Sequence, residues 1–155
     1  MPYHPLSPTR SQIFTAIDRA FDQHGFNSIF LVTEDLDYLE VLSTRYGTRL
    51  TSMPHFRTRS PVNAYRINPR PMHRYLLGRE ILTDTVIMSK CQGMVSSTSN
   101  VTEMARAMNN GAYQLDLVID NGLNVHDPLL AKYFWPLKRS LPPALGGFSD
   151  KAIVN

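Results

Sequence analysis

The stretch that most constrains the fold is residues 81–107, which read ILTDTVIMSKCQGMVSSTSNVTEMARA. An apolar helical pattern runs into a short β-rich segment at 93–97, and a polar turn then leads into a second amphipathic helix. A helix, a strand and a helix joined by short turns form the repeat of an open α/β sheet. Since anionic ligands bind where a strand of such a sheet runs into a helix, this turn is a candidate ligand site.

The residues before this stretch repeat the same alternation. Residues 11–24 carry apolar side chains at helical spacing, with Thr9 or Ser11 able to cap the helix and Gly25 ending it. The continuous apolar run SIFLVT at 28–33 is typical of a strand covered on both faces. A helix at 36–46 and a second strand at 49–51 complete a βαβ unit, which predicts parallel strands.

The rest of the chain extends this pattern. It predicts a mostly buried helix at 75–91, a fourth strand at 114–119 and a helix opened by Asp127-Pro128 that Pro136 ends or kinks. Residues 52–74 contain four prolines and predict a long loop, functional or mobile. We therefore expect a single Rossmann-like domain over 1–155, a small parallel sheet of about four strands flanked by helices. Its core would be 11–120, and a C-terminal helix and an apolar tail at 121–155 would pack back on it.

Composition narrows the class of protein. One cysteine, Cys91, excludes an intrachain disulfide, and the five histidines lack the spacing of a metal site. No apolar run is long enough to span a membrane, and residues 1–10 lack a secretion signal. We expect a cytoplasmic protein if Met1 is the native N-terminus, and localisation otherwise stays open.

Charge is unevenly distributed. Between Glu40 and Glu80 the chain has no acidic residue, whereas it has eight arginines. A solvated basic surface and a site that attracts a phosphate-bearing ligand are both compatible with this. Nucleic acid is the weakest alternative, because prolines and turn residues break up any regular basic helix or ribbon.

Two polar features are candidate site residues. Asp84 lies in the apolar stripe of its helix, so it either accepts local hydrogen bonds that lock the helix or faces a ligand crevice. The turn at 96–100 precedes a helix for which Asn100 and Glu103 form a capping box. Its four successive hydroxyl residues exceed what one cap needs. The motifs GxGxxG, GxxxxGK[ST], HExxH and GxSxG are absent.

Three landmarks in this order resemble a known family. They are FLVTED at 30–35, Thr83-Asp84 followed by VIMS at 86–89, and VSSTSN at 95–100. Over residues 13–107 the chain is similar to the C-terminal, nucleotide-sugar-binding half of the GT-B fucosyltransferase superfamily. That superfamily includes α-1,6-fucosyltransferases, nodulation fucosyltransferases and protein O-fucosyltransferases.

The resemblance implies fucosyl transfer from GDP-fucose, or a similar nucleotide sugar, without a metal ion or another cofactor. Glu34 and Asp35, with Thr33 before them, would lie near the nucleoside. Asp84 would hold the guanine or order the pocket. The turn would supply hydrogen-bond donors to the diphosphate through four residues, Ser97, Thr98, Ser99 and Asn100. The basic loop would add countercharge for the leaving GDP.

Departures from the family limit this expectation. Its essential His-x-Arg motif lies upstream of the matching region, whereas His55-Phe56-Arg57 has those letters but follows the second strand. The acceptor-side N-terminal domain is missing, so the chain reads as half of an enzyme that a partner domain would complete. Its catalytic residues are unknown, and its acceptor, a glycan or a protein, is not specified. The alternative is a non-enzymatic Rossmann-like interaction module or a degenerate paralogue.

Overall fold

A computed structural model describes residues 4–59 and 64–154 and shows a mixed α/β protein. The helices in this part of the chain are α1 Arg10–His24, α2 Leu36–Tyr46, α3 His73–Met88, α4 Asn100–Asn109 and α5 Pro128–Ser140. Its strands are β1 Ile29–Phe30, β2 Leu50–Thr51, β3 Gly93–Ser96, β4 Leu115–Ile119 and β5 Ile153–Val154. Each of these helices falls short of the length and hydrophobicity that a membrane span requires.

The chain groups into two compact units. One combines residues 1–26 with 91–155, and the other consists of residues 27–90. The four predicted strands are thereby divided over two sheets. Strands β1 and β2 form a parallel pair in the 27–90 unit, and β3, β4 and β5 form a second sheet in that order. The α/β class, the parallel pairing in the βαβ unit predicted at 28–51 and that of the third and fourth predicted strands are confirmed, whereas a single four-stranded parallel sheet is not evident among the described residues.

The unit of residues 1–26 and 91–155 is built around β4. Strand β4 pairs parallel with β3 and antiparallel with β5, the strand that sequence patterns did not predict. Its alternate side chains are buried and pack with those of α1 and β5 in one core cluster, made of Ala16, Ala20, Leu115, Leu117, Ile119 and Ile153. Helix α1 begins at a capping box between Thr9 and Gln12 and ends at Gly25, whose positive φ of 69° suits glycine.

The unit of residues 27–90 is organised around the end of β1. Helix α2 connects β1 to β2 and is capped by Asp35, whose side chain accepts from the N–H groups of Asp37 and Tyr38. The segment that follows β2 returns alongside this cap, where Thr58 N–H donates to the Glu34 carbonyl at 2.9 Å. Strand β1 is shorter than predicted, and the backbone after it bonds to Arg57 and Thr58.

Helices α3 and α5 differ in how they match their predictions. Helix α3 was expected to be mostly buried, yet Ile81, Leu82 and Val86 are exposed, and its most buried side chains are those of His73, Leu77, Asp84 and Thr85. The apolar side chains of this helix are distributed around its whole circumference, so periodicity alone could not identify the packed face. Helix α5 was predicted to end or kink at Pro136, and it continues through this residue, which supplies no main-chain donor, to Ser140.

Candidate functional site

Asp84 is the buried carboxylate of the 27–90 unit. The residue is 8% exposed, and its Oδ2 lies 3.1 Å from Nδ1 of His55. The other oxygen, Oδ1, is sealed from solvent and has no hydrogen-bond partner among the described residues. The sequence left two alternatives open, local hydrogen bonds or a ligand crevice. In the structure Asp84 bonds to an imidazole from the loop, and one buried oxygen keeps its full desolvation cost, about 1–3 kcal/mol.

Burial controls the ionisation of Asp84. Desolvation raises the pKa of this carboxyl above its ordinary value, and the charge of Glu80 adds to the increase. The hydrogen bond and charge of His55 and the charge of Arg57 lower this pKa and offset only part of the effect. A buried acid with a raised pKa beside a histidine is a common feature of functional sites.

The segment of residues 53–59 contacts Asp84 through His55, and Arg57 holds the segment in place. The Arg57 guanidinium donates to three backbone carbonyls, those of Thr33 at 3.2 Å, His55 at 3.3 Å and Met53 at 2.9 Å. These bonds tie the segment to the end of β1. Because the donors of Arg57 face backbone carbonyls, its contribution to the Asp84 site is a nearby positive charge rather than a direct bond.

A second carboxylate of α3 fixes the same segment. Glu80 forms a two-pronged ion pair with Arg70, with N–O distances of 2.8 and 2.7 Å, and it also accepts from the Phe56 backbone. Arg70 is the main cause that lowers the pKa of Glu80. The Phe56 ring packs edge-on to His73 at 4.9 Å. Helix α3 therefore presents Asp84 and Glu80 to the segment, and only Asp84 keeps an oxygen without a partner.

His55 and Arg57 are the site residues that sequence reasoning missed. The letters of a His-x-Arg motif were recognised but set aside because they follow the second strand. A sequence signal could have identified them. An arginine-rich segment interrupted by prolines occurs in the same chain as a lone aspartate in an apolar helix. Such an aspartate needs a partner, and a nearby histidine can supply one.

The predicted residues at the end of β1 have structural partners. Thr33 Oγ1 accepts from the Asp35 N–H at 3.1 Å, and Asp35 caps α2. The Glu34 side chain is exposed. Of these three residues, Glu34 therefore has the side chain most accessible to a ligand. The Asp35 side chain accepts hydrogen bonds from the helix that it caps. Arg57 bonds to the Thr33 carbonyl and its charge also acts on Asp84, so the structure brings this strand end and Asp84 to one neighbourhood.

The predicted turn of residues 97–100 belongs to the other unit, and its cap differs from the prediction. Ser99 rather than Asn100 caps α4, and its partner at the third helical position is Thr102 rather than Glu103. Ser99 has the extended backbone that a cap needs, whereas Asn100 is already helical.

The hydroxyl groups around this turn are largely engaged. The Ser99 Oγ accepts from the Thr102 N–H at 3.2 Å, and the Thr102 hydroxyl contacts the Ser97 carbonyl at 3.0 Å. The Ser96 hydroxyl accepts from Arg106 at 2.7 Å. Intrachain hydrogen bonds thus engage the Ser99 and Thr102 hydroxyls, while Thr98, Ser99 and Asn100 are all exposed.

A basic cleft lies at the N-terminus of α3. Its volume is about 350 Å³, and no carboxylate is among its lining residues, Arg66, Ile67, Asn68, Met72, His73, Arg74 and Tyr75. The Arg74 guanidinium lies 4.8 Å from the centroid of the Tyr65 ring. Two guanidinium groups without a neighbouring carboxylate give the cleft a positive potential that suits a phosphate-bearing ligand.

The formal charge of the chain is concentrated in the same unit. Residues 27–90 contain nine Lys and Arg against six Asp and Glu, whereas the other unit contains seven of each. The whole net charge of +3 therefore belongs to residues 27–90. In the part of the chain that the structure describes, no cluster of three or more His, Cys, Asp or Glu is placed to hold a metal ion.

Asp84 also allows a prediction for stability. Because folding raises its pKa, we expect Asp84→Asn to increase the free energy of unfolding near neutral pH. The gain should be absent below the ordinary aspartate pKa of 3.8, grow as pH rises through the raised folded pKa, and stay constant above it. Urea unfolding of both proteins from about pH 3 to pH 8 measures this. Asp22→Asn, at an exposed position of α1, is the control, and an equal response of both variants would contradict the account.

Comparisons of the chain with models of known protein families, with curated proteins and with solved structures find no match.

Proposed function

We propose that this chain is a nucleotide-sugar-binding domain of a fucosyltransferase-like glycosyltransferase, with residues 27–90 contacting a GDP-fucose-like donor. The chain would be inactive alone and would transfer fucose only when a partner domain supplies the other wall of the active site. The acceptor, a glycan or a protein, would be bound mainly by that partner. The donor would need no metal ion, because arginines supply the countercharge.

The observation that carries this proposal is the buried Asp84 carboxylate with an unpartnered oxygen. Guanine offers two adjacent N–H donors, which match the two oxygens of a carboxylate. His55 now holds one of those oxygens and the other is sealed, so guanine would reach Asp84 by displacing His55. Donors on both oxygens would remove the desolvation cost that the unliganded site retains.

In the proposal, the diphosphate binds in the cleft at the start of α3. Asp84 follows His73 by eleven residues, so about 16 Å of helical rise separates them. Helical side chains lean toward the N-terminus, which brings the Asp84 carboxylate nearer to the cleft. The long side chains of Arg66 and Arg74 can extend toward the diphosphate from the other end. In this proposal the two ends of a GDP molecule would have partners at Asp84 and at the cleft.

The proposal includes a finer fold assignment. Strands β1 and β2 with α2, and β3 and β4 with α4, are both parallel strand–helix–strand units. We infer that they are the two parts of a Rossmann-like domain, one half of a GT-B fold. Parallel pairing and a helical crossover in each unit support this assignment.

Calorimetry with GDP tests the proposal directly. We expect a dissociation constant in the micromolar to millimolar range, corresponding to roughly −4 to −8 kcal/mol. ADP should bind more weakly, because adenine lacks the paired donors that Asp84 would accept, and equal affinities would contradict guanine recognition. The protein must be shown to be folded by circular dichroism. No heat of binding at millimolar GDP would then overturn the proposal.

A second candidate function has a specific observation in its favour. The Ser99–Thr102 capping box engages hydroxyl groups in the turn that was expected to bind the diphosphate. A non-enzymatic interaction module that keeps the α/β scaffold and lacks the donor would show this feature. It predicts a folded chain that binds neither GDP nor ADP, so the same titration distinguishes the two functions.

A further inference from the structure

His73 is a buried histidine that the proposed function does not use. It is 1% exposed, begins α3 and belongs to the residues that line the basic cleft. Both of its ring nitrogens have partners. Nε2 lies 2.9 Å from the Ala64 carbonyl oxygen, and Nδ1 lies 3.2 Å from Nε of Arg70. The imidazole therefore connects two separate parts of the segment that precedes α3.

The two partners determine which ring nitrogen carries the proton. Nε of Arg70 can only donate, so Nδ1 of His73 must be the acceptor and carries no proton. The Ala64 carbonyl can only accept, so Nε2 of His73 must be the donor. The imidazole is therefore neutral and is the Nε2–H tautomer.

The bond to Ala64 determines where one wall of the cleft lies. Ala64 is fully buried and begins the short 3₁₀ helix Ala64–Arg66, whose last residue lines the cleft. Arg74 lines the same cleft and follows His73 directly on α3. The bond between His73 and Ala64 therefore joins the backbone that carries Arg66 to the helix that carries Arg74, and it limits the spacing of the two guanidinium groups.

Arg70 holds the other side of the imidazole. Its guanidinium forms the two-pronged ion pair with Glu80 and lies 5.4 Å from the centroid of the Phe56 ring. The Phe56 ring in turn packs edge-on to His73. Because the ion pair and the aromatic ring restrict Arg70, its bond to Nδ1 fixes the orientation in which the imidazole donates to Ala64.

We infer that His73 is a positioning residue for phosphate recognition, which holds Arg66 at the distance from Arg74 at which both guanidinium groups reach one diphosphate. The inference rests on the proposed function, which places the diphosphate of the donor in this cleft. An arginine loses conformational freedom when it binds a ligand, and fixing its backbone beforehand lowers that cost. His73 acts through Arg66 rather than by contact with the ligand, because both of its nitrogens are already engaged.

Inorganic pyrophosphate is the probe, since it lacks the guanine that Asp84 would bind. Calorimetry should detect its binding to the wild-type chain and an affinity about tenfold lower in His73→Asn, whose amide reaches only the Nδ1 position and loses Ala64. His73→Gln places an amide N–H at the Nε2 position and should keep the affinity within about threefold of the wild type. His24→Asn makes the same change at an exposed histidine of the other unit and is the control.

A double-mutant cycle separates positioning from a general loss of stability. Arg66→Gln should itself weaken pyrophosphate binding. In that background His73→Asn should have little further effect, because the side chain that His73 positions is gone. A purely structural role of His73 predicts the same loss of affinity in both backgrounds, and that result would overturn the inference.

Histidine NMR of the wild-type chain tests the inference without any substitution. The ring signals of His73, assigned from their absence in His73→Gln, should show the Nε2–H tautomer at neutral pH. An Nδ1–H tautomer or a doubly protonated ring would overturn the inference. So would a folded wild-type chain that does not bind pyrophosphate, or a folded His73→Asn that binds it as tightly as the wild type. Pyrophosphate binding that depends on His73, in a chain with no measurable affinity for GDP, would support the positioning role and refute only the proposed function.

Discussion

Replacing Gln12 by alanine is expected to lower the free energy of unfolding by about 3 kcal/mol, a large share of the 5–15 kcal/mol typical of a domain. Gln12 is 2% exposed and connects three parts of its unit. Its amide donates to Asn121 Oδ1 at 2.8 Å and to the Ser149 carbonyl at 2.9 Å. Its Oε1 accepts from the Thr9 N–H and from the Asn121 amide.

The alanine variant leaves several of these groups without partners. Asn121 is also buried, so its amide would lose both bonds to Gln12 without gaining water. A cavity and the loss of the capping box add to the cost. Gln23→Ala makes the same chemical change at an exposed position of the same helix and should cost only a few tenths of a kcal/mol.

Urea unfolding followed by tryptophan fluorescence measures this difference. Trp135 is the single tryptophan of the chain and belongs to the same unit as Gln12, so its signal reports on that unit. If Gln12→Ala and Gln23→Ala unfold at the same urea concentration, the buried amide pair does not stabilise this unit as described.

The second large effect concerns the proposed ligand. Asp84→Asn should weaken GDP binding at least about tenfold, because hydrogen bonds to a charged acceptor contribute roughly 1.5–3 kcal/mol. The same substitution should stabilise the folded chain at neutral pH, so stability and affinity change in opposite directions. Loss of binding through misfolding would lower both, and the two causes are therefore distinguishable.

His55→Ala should have the opposite effect on affinity. If His55 competes with guanine for Asp84, its removal should tighten GDP binding by a factor equal to the reciprocal of the fraction of molecules in which the carboxylate had been free of His55. Weaker binding in His55→Ala would contradict displacement as the route to Asp84. His126→Ala, at an exposed histidine of the other unit, serves as the control.

The helices were largely predictable because their determinants are local. Helix α2 has the predicted bounds, and α1 begins one residue before the predicted start, with Thr9 as the cap and Gly25 at the end. Each of these helices has a capping side chain before it and a glycine after it, and such signals act within a single turn. The cap of α4 was displaced by one residue because Ser99 and Asn100 are both good caps.

Sheet organisation was less predictable because it depends on pairings between distant residues. The run of residues 28–33 predicted a six-residue strand, yet only Ile29–Phe30 pairs as a strand. Arg57 and Thr58 bond to the backbone that follows Phe30. Strand β5 consists of two residues, too few to carry a pattern. Local sequence does not determine which strand a segment will pair with, so the division into two sheets could not be predicted.

The sequence identified Asp84 in the candidate site but did not identify its partner. A carboxylate at position 84 in an apolar stripe identified a residue that needs a partner, and it is the residue with the buried unpartnered oxygen. The identity of that partner, His55, depends on how a loop with four prolines returns to the helix. Thr33 and Asp35 were predicted to lie near the nucleoside, and the structure shows that they also form the turn and the cap of α2, since side chains that end a strand can equally begin a helix.

Histidine ring NMR during a GDP titration tests the central claim most directly. The Hε1 signal of His55, assigned from its absence in His55→Gln, should shift progressively and saturably as GDP displaces the ring from Asp84. The signals of His24 and His126 in the other unit should stay in place, and Asp84→Asn should abolish the His55 shift. A His55 signal that stays unmoved at millimolar GDP in the folded protein would contradict the claim that Asp84 is the donor-binding carboxylate.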